Sequence, residues 1–305
     1  MIRELPPDIA KIAKKELNEN SKTTKDDIQH LKEWLSKQPH LRARSDDQWL
    51  VAMLRGCKFS LERVKQKLDL YYTLRTTAPD VVLRLKPTDE KFLDFFKKGT
   101  VLVLQKPNKL YPRVILIRAG AYDPTVNHVA DIMCMLYYLV QILIVDDDIA
   151  SVVGTKILVD YEGVTMSHFI QASPSVAKKM ITVCQEAFPL RLKGSHHINV
   201  PPGIDKIFSI VSVFLNKKAK ERLKVHKNHA DIQEHIPNDI LPKDYGGKGQ
   251  TVEELTDYWV LKFKEYRTWM EQEMKFGTDE SKRLGEPITK DLAGIEGSFR
   301  KLNID

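Results

Sequence analysis

The sequence has few of the residues that build disulfide scaffolds, metal centres or secretion signals. Its 305 residues include three cysteines, Cys57, Cys134 and Cys184, which lie far apart and without metal-ligand spacing. This usage is typical of free thiols in a reducing compartment. The first 20 residues are charged and contain no apolar core of the kind that a signal peptide needs. We therefore expect a soluble, cytoplasmic protein.

Long hydrophobic runs are also scarce. The strongest one, from Val129 to Val145, has 17 residues and includes Asp131 and Gln141. A membrane span needs about 20 predominantly apolar residues. This run therefore predicts a buried helix and not a membrane span.

Motifs for catalysis and metal binding are missing as well. The sequence has neither a Gly-rich phosphate loop nor a nucleophile elbow. His196 and His197 are neighbours in an extended stretch, so their side chains point to opposite faces and cannot serve one site. His226, His229 and His235 have no cysteine or carboxylate at a spacing that would complete a zinc site. We predict neither an enzyme nor a metal protein, and no cofactor other than a bound ligand.

The order of secondary-structure patterns predicts an α/β fold. Residues 1–85 have helical apolar spacing and form a predicted amino-terminal helical module. "TVLVLQ", "RVILIR", "TKILVD" and "HHINV" then read as strands, the first two adjacent and the later ones separated by helices. Strand–helix–strand order implies parallel pairing, hence a mixed α/β domain over residues 86–250. An amphipathic pattern after residue 251 predicts a helical tail, 251–305.

Positive charge is concentrated in one part of the chain. The net charge is +7, and the segment from Phe188 to Asn228 holds nine Lys and Arg residues against two acidic residues. A local excess of this size favours an anionic partner. A solvated helix face is the simpler alternative, and nucleic acid is the rival partner.

Within this segment, a helix from Pro201 to Asn216 has two apolar faces. A surface helix needs one apolar face, so the second one requires either a large core or another apolar environment. Arg191 and Lys193, at alternate positions of an extended stretch, point the same way. If the chain stays helical beyond residue 216, Lys218 and Arg222 share a side and can join them in a cleft for a phosphorylated group. An apolar cover beside a basic cleft suits a protein that docks on anionic membranes and handles a lipid.

Four separated stretches resemble the CRAL-TRIO lipid-binding family, and most of all its tocopherol-transfer branch. They are "WLVAMLRGCKFSLERVKQKL", "ILVDYEG", "AFPLRLKGSHHINVP" and "LPKDYGG", in the family's order, and with "QASPSVAKKM" they cover roughly residues 25 to 250. The resemblance implies an amino-terminal helical module followed by an α/β lipid-binding domain. In that domain a mobile helical gate closes a hydrophobic cavity.

The resemblance also assigns roles to individual residues. The gate is Pro201 to Asn216, and the phosphoinositide cleft consists of Arg191, Lys193, Lys218 and Arg222. Ligand-cavity positions are Tyr137, Gln141, Val183, Phe188, Leu190, Ile204, Phe208, Val211 and Leu215. Membrane-facing positions are Met166, Ile170, Ile207, Ile210 and Phe214.

The expected function is transfer of a small hydrophobic lipid between membranes, with phosphoinositides on anionic membranes regulating its release. Where the tocopherol-transfer branch carries small hydroxyl residues, this sequence has Tyr137 and Gln141. The ligand therefore stays open among tocopherol, retinoid, carotenoid and phospholipid-like molecules. A lipid-sensing adaptor that holds its ligand without transporting it is the alternative. The resemblance implies a cytoplasmic protein that associates reversibly with membranes.

A second departure from the family's pattern is Cys57, which stands where the family often has an arginine.

Overall fold

Five strands form the sheet that organises the protein. The structure is a computed structural model that describes residues 2–107, 110–203, 211–227 and 229–286. The strands are β2 (Val101–Val103), β3 (Arg113–Arg118), β4 (Thr155–Asp160), β5 (Leu192–Ile198) and β6 (Leu223–Val225). They lie in the order β2-β3-β4-β5-β6, with β2 antiparallel to β3 and all other pairs parallel. The predicted adjacent first pair and the predicted parallel pairing are both confirmed.

Helices precede the sheet along the chain. They are α1 (Pro7–Leu17), α2 (Thr24–Ser36), α3 (Asp47–Gly56), α4 (Leu61–Thr77), α5 (Pro79–Val82) and α6 (Glu90–Phe96). The amino-terminal helices pack closely on the second half of the chain: a Cβ added to Gly56 would lie 2.0 Å from the Pro189 carbonyl oxygen. Lys67 reinforces this contact by donating to the carbonyl of Phe188 at 3.0 Å. Glycine is therefore required at position 56, directly before Cys57.

The apolar run after residue 129 forms the central helix of the core. This helix, α7 (Val129–Asp146), begins at a capping box in which the His128 side chain and Asp131 satisfy backbone amides. Within the described residues it is long and apolar enough to cross a membrane, but 83% of it is buried inside the protein. The prediction of a buried helix is confirmed.

The described part of the chain between β4 and the tail contains four more helices. They are α8 (Met166–Gln171), α9 (Pro174–Thr182) with a π-helical turn (Val183–Ala187), α10 (Lys217–Arg222) and α11 (His229–Gln233). The condition that the chain stays helical beyond residue 216 is met as far as Arg222 and fails from Leu223 onward. Asn216 caps α10 by accepting from the Ala219 amide at 2.9 Å, and the chain from Leu223 pairs with β5 instead. The parallel sheet edge offers unpaired backbone groups, and these outweigh a short helix with no buried residues.

The tail returns to the amino-terminal module. It contains α12 (Val252–Glu265) and α13 (Arg267–Glu273), and its strand β7 (Gly277–Thr278) pairs with β1 (Leu41–Arg42). Trp259 of α12 donates to the Val103 carbonyl at 2.9 Å, which fixes the helix against the edge strand β2. The tail thus packs on the sheet's antiparallel edge and joins the amino-terminal helices through the β1–β7 pair.

Candidate functional site

A cavity of about 270 Å³ lies between the sheet and the connections that follow its strands. The floor comes from the carboxyl ends of β3 and β4 and from β5, one wall from α8 and its neighbours, and the cover from the chain between residues 211 and 223. The described lining residues are Ala119, Tyr122, Val129, Tyr161, Val164, His168, Phe169, Ala172, Leu192, Ser195, His197, Val211, Leu215, Ala219 and Leu223. Most of these side chains are aliphatic or aromatic, so the cavity suits an apolar ligand.

Strand β4 supports the view that this space is unfilled. Ile157 and Val159 point to one face of the central strand, yet both are only half-buried. In a parallel sheet covered on both faces, such side chains are normally enclosed by packing. Their partial exposure indicates that this face of the sheet is incompletely covered.

The structure describes three of the seven predicted gate residues. Val211 and Leu215 line the cavity. Phe214 is half-buried on the same short segment. Ile204, Ile207, Phe208 and Ile210 lie outside the described residues.

The end of the gate segment is held by a side chain that sequence reasoning missed. Gln185, in the π-helical turn after α9, donates from its Nε2 to the Phe214 carbonyl at 3.0 Å. Its Oε1 accepts from the Asn216 amide at 2.9 Å. The Gln185 side chain therefore bonds to the backbone on both sides of Leu215, where the predicted gate segment ends and α10 begins. Only the fold brings the residues together, because they are about 30 positions apart.

The other predicted cavity residues lie in the core. Tyr137 is fully buried, accepts a hydrogen bond from Arg75 at 3.2 Å and stacks on Tyr71 with ring centroids 5.4 Å apart. Gln141 and Val183 are also fully buried, Phe188 is buried and Leu190 is half-buried. The described cavity wall does not include these five residues, and their contact with a ligand stays a prediction.

Two predicted membrane-facing residues are strongly exposed on α8. Met166 is 71% exposed and Ile170 is 74% exposed, and Val213 on the gate segment is 74% exposed. Exposed apolar side chains grouped at the entrance of an apolar cavity are typical of an interaction surface. Val213 was missed by the sequence analysis, although its position between two predicted gate residues was a usable signal.

Cations from two elements meet beside the cavity. Arg191 and Lys193 flank the first residue of β5, and both contact one carboxylate oxygen, Glu16 Oε2, at 3.2 and 3.3 Å. Arg222 of α10 donates to the carbonyl of Leu192, between them. The four predicted cleft residues are Arg191, Lys193, Lys218 and Arg222.

The pKa of Lys218 indicates that several cations surround this side chain. It lies below its usual value, first because of the Arg222 charge and then because of burial and further positive charges. Those further charges are on Lys58, Lys193 and Arg191. A depressed lysine pKa caused by several cations marks a region of high positive potential. Lys58 follows Cys57 directly, so a cation still faces this region although the family's usual arginine is absent.

Glu16 is a further residue that sequence reasoning did not find. It comes from the last turn of α1, 175 positions before Arg191, and no local pattern connects them. Desolvation raises the pKa of Glu16, but hydrogen bonds and charges from Arg191 and Lys193 outweigh it and lower the pKa overall. A carboxylate of the protein itself, that of Glu16, thus occupies part of the basic cleft.

Comparison with known proteins identifies the family. The model of the CRAL/TRIO domain matches residues 97–247, and the model of the Pinta-like UBA domain matches residues 20–92. The human "Alpha-tocopherol transfer protein-like" protein is 32% identical over 259 residues, which cover 84% of this chain and 75% of that protein. This chain belongs to the CRAL/TRIO family.

A second relative and one solved structure extend the comparison. Clavesin-1 of Xenopus laevis is 26% identical over 245 residues, which cover 80% of this chain and 74% of that protein. The crystal structure of Sfh5 has a TM-score of 0.54 at 14% identity and covers 86% of this chain and 99% of its own, which shows the shared fold. CRAL/TRIO proteins bind and transfer lipids and other small hydrophobic ligands, and the apolar cavity described above is consistent with this role.

Metal binding has no support in the described part of this CRAL/TRIO chain. Within it, no group of three or more His, Cys, Asp and Glu side chains is arranged to hold a metal ion. His196 and His226 do meet, with His196 Nδ1 and His226 Nε2 2.9 Å apart, and the His235 ring lies tilted beside His196 with the ring centroids 5.2 Å apart. His197 points to the opposite face of β5, towards Tyr161, as the alternation in a strand predicts.

Proposed function

We propose that this protein carries a small hydrophobic lipid between membranes and that a phosphoinositide head group in the basic cleft regulates the lipid's release. The protein works in the cytoplasm and associates reversibly with anionic membranes. It needs no cofactor or metal, and the lipid itself is the bound ligand. The family's role in binding and transferring hydrophobic ligands supports the first part of this proposal.

One observation carries the regulatory part: the cavity and the cleft are built from the same two elements. On β5, Leu192 lines the cavity, while Arg191 and Lys193 on either side of it contribute to the cleft. On α10, Ala219 lines the cavity, while the charges of the cleft lower the pKa of Lys218. A head group that moves α10 therefore moves the cavity wall as well. A ligand shifts a conformational equilibrium only if it binds the two states unequally, and this shared wall supplies that difference.

Docking at the membrane uses the exposed apolar residues around the entrance. Burying a large apolar side chain contributes about 1.5–3 kcal/mol. Each basic residue near an anionic surface adds about 1 kcal/mol. A few such terms give binding that is measurable yet reversible, as a shuttle requires.

The test is transfer of a fluorescent lipid analogue from donor to acceptor vesicles, with and without a phosphoinositide in the acceptor. We expect the phosphoinositide to accelerate transfer. Lys218→Ala is expected to reduce that acceleration about fivefold, which corresponds to the loss of about 1 kcal/mol of head-group attraction. Lys220→Ala is the matched control, because Lys220 is an exposed cation on the same short helix.

Three outcomes separate the proposal from its rivals. Equal effects of the two lysine substitutions would show that only overall charge matters and would remove the cleft's role. Stable binding of the analogue without transfer would favour the lipid-sensing adaptor. Binding to nucleic acid but not to anionic vesicles would reject membrane action altogether. Organic extraction of the purified protein, followed by mass spectrometry, identifies the lipid that it carries.

A further inference from the structure

A hydrogen-bonded cluster of three side chains interrupts the apolar cavity wall. Ser195 and His197 lie at alternate positions of β5, so both point to the cavity face of the sheet. The Ser195 hydroxyl lies 2.9 Å from His197 Nε2. The other ring nitrogen, His197 Nδ1, lies 3.1 Å from the Tyr161 hydroxyl, at the end of the neighbouring strand β4. All three residues line the cavity.

The remaining described wall is apolar or internally satisfied. His168 also lines the cavity, but its Nδ1 accepts from the Thr165 amide at 3.1 Å and its Nε2 lies 3.1 Å from the Tyr122 carbonyl. The described lining residues include no Lys, Arg, Asp or Glu. Polar contacts to a ligand are therefore concentrated at the cluster of Ser195, His197 and Tyr161.

The cluster is electrically neutral near pH 7. Burial, followed by the charge of His226, lowers the pKa of His197 to about 4. Burial also raises the pKa of Tyr161 above its usual value, so the phenol stays protonated. A carboxylate placed here would lose its hydration without gaining a cationic partner, which is costly in an apolar cavity.

Ser195 has hydrogen-bonding capacity beyond its bond to His197, because a hydroxyl offers one donor and two acceptor positions. If His197 Nε2 carries the proton, it donates to Ser195 and the serine O–H points elsewhere. If Nε2 is bare, the serine O–H donates to it and the serine lone pairs remain as acceptors. A carbonyl ligand can accept the serine O–H only in the first tautomer, whereas a hydroxyl ligand can bond to Ser195 in both. Tyr161 holds His197 in place in either case.

We propose that Ser195, positioned by His197 and Tyr161, binds the head of the transported lipid, and that this head is one neutral oxygen group, a hydroxyl or a carbonyl. This inference rests on the proposed function and names its ligand class. The lipid is then an apolar molecule with one such head, and it is neither a plain hydrocarbon nor a fatty-acid anion.

The test compares 1-dodecanol, dodecane and dodecanoate as competitors for bound diphenylhexatriene, an apolar fluorescent probe, on the full-length protein. We expect dodecanol to bind more tightly than dodecane by about 2- to 12-fold, the range for one neutral hydrogen bond. Dodecanoate is expected to bind more weakly than dodecanol. Ser195→Ala removes the preference for dodecanol over dodecane.

Two further variants separate a specific hydrogen bond from a change of shape. Ser195→Thr keeps the hydroxyl and is expected to keep the preference for dodecanol. Val164→Ala shortens an apolar wall residue, so it should weaken all three competitors alike. An unchanged alcohol-to-alkane ratio in Ser195→Ala, or tighter binding of dodecanoate than of dodecanol, overturns the inference and leaves the lipid cavity standing. Failure of the probe and of every competitor to bind overturns the proposed function and this inference together.

Discussion

Glu16 is the internal competitor of the head group that we propose for the basic cleft, so its removal should strengthen membrane binding. The substitution Glu16→Gln keeps the size of the side chain and removes the negative charge that now contacts Arg191 and Lys193 at 3.2 and 3.3 Å. An anionic head group must displace this carboxylate to reach both cations. Without the charge, that displacement costs less.

The magnitude follows from the exposure of the pair. The Glu16 side chain is 46% exposed, against 12% for Arg191 and 31% for Lys193, so water screens both contacts. Exposed ion pairs contribute about 0.2–1 kcal/mol each. Two of them correspond to about a 2- to 30-fold gain in affinity for the head group. The free energy of unfolding should fall by a similarly small amount, since Ile9, Ala13 and Leu17 keep α1 packed on Val152.

The pH dependence has a definite sign. The folded-state pKa of Glu16 lies below its usual value, so the ion pairs contribute stability above the unfolded pKa of about 4.3 and lose it as the pH falls through the folded value. At pH 7 the carboxylate is charged and competition is at its maximum. Once the pH falls below this lowered pKa, the wild type and Glu16→Gln should converge in head-group affinity.

The assay is co-sedimentation with phosphatidylcholine vesicles with and without a phosphoinositide, at constant salt. Asp8→Asn is the control, because Asp8 lies on the same helix and its substitution changes the net charge equally, while its ion pair is with the exposed Lys11 and not with the cleft. A gain confined to Glu16→Gln and to phosphoinositide vesicles supports internal competition. Equal gains for both variants, or no gain for Glu16→Gln, refute the reasoning.

The remaining predictions address docking, release and acid stability. Replacing Met166 and Ile170 by Ser should weaken vesicle binding about tenfold per residue without lowering the melting temperature, because both are exposed; unaltered binding would exclude this surface. Gln185→Ala removes two hydrogen bonds at the end of the gate, so spontaneous release of a bound probe should accelerate about tenfold, measured by stopped-flow fluorescence; an unchanged rate would show that the clasp does not limit opening. Burial lowers the pKa of His196 to about 3, so on acidification the imidazole is protonated in the unfolded state before it is protonated in the folded state. The free energy of unfolding should therefore fall from pH 7 towards pH 4 by at most about 1.4 kcal/mol per pH unit. Urea unfolding of His196→Asn should show a smaller decrease per pH unit, and an equal decrease would assign the loss to other groups.

Much of the fold could be predicted because its signals are local. The strands "RVILIR" and "TKILVD" differ from the helices in their apolar period, and their separation by a helix forces parallel pairing. The i, i+2 spacing of Arg191 and Lys193 correctly predicted that both side chains reach one place, which is the carboxylate of Glu16. The resemblance to the CRAL-TRIO family was confirmed by the comparison with known proteins, and the gate that the resemblance implies stays a prediction.

Other features required the tertiary structure because their partners are remote in sequence. Strand β6 forms where the helical pattern of the basic segment was expected to continue, since the edge of β5 offers it hydrogen bonds. Gln185 reaches the gate, and Tyr161 reaches His197, only through the packing of neighbouring elements. No spacing rule connects such residues.

By itself, the sequence determined the alternation of strands and helices, the burial of α7 and the local excess of positive charge, because periodicity and charge are properties of short segments. The tertiary structure alone decided that Leu192 lines the cavity while its neighbours on β5 face the cleft, and that Glu16 lies among the cations. Both depend on distances between segments that are far apart along the chain, and only the packing of α1 and α10 around β5 sets those distances.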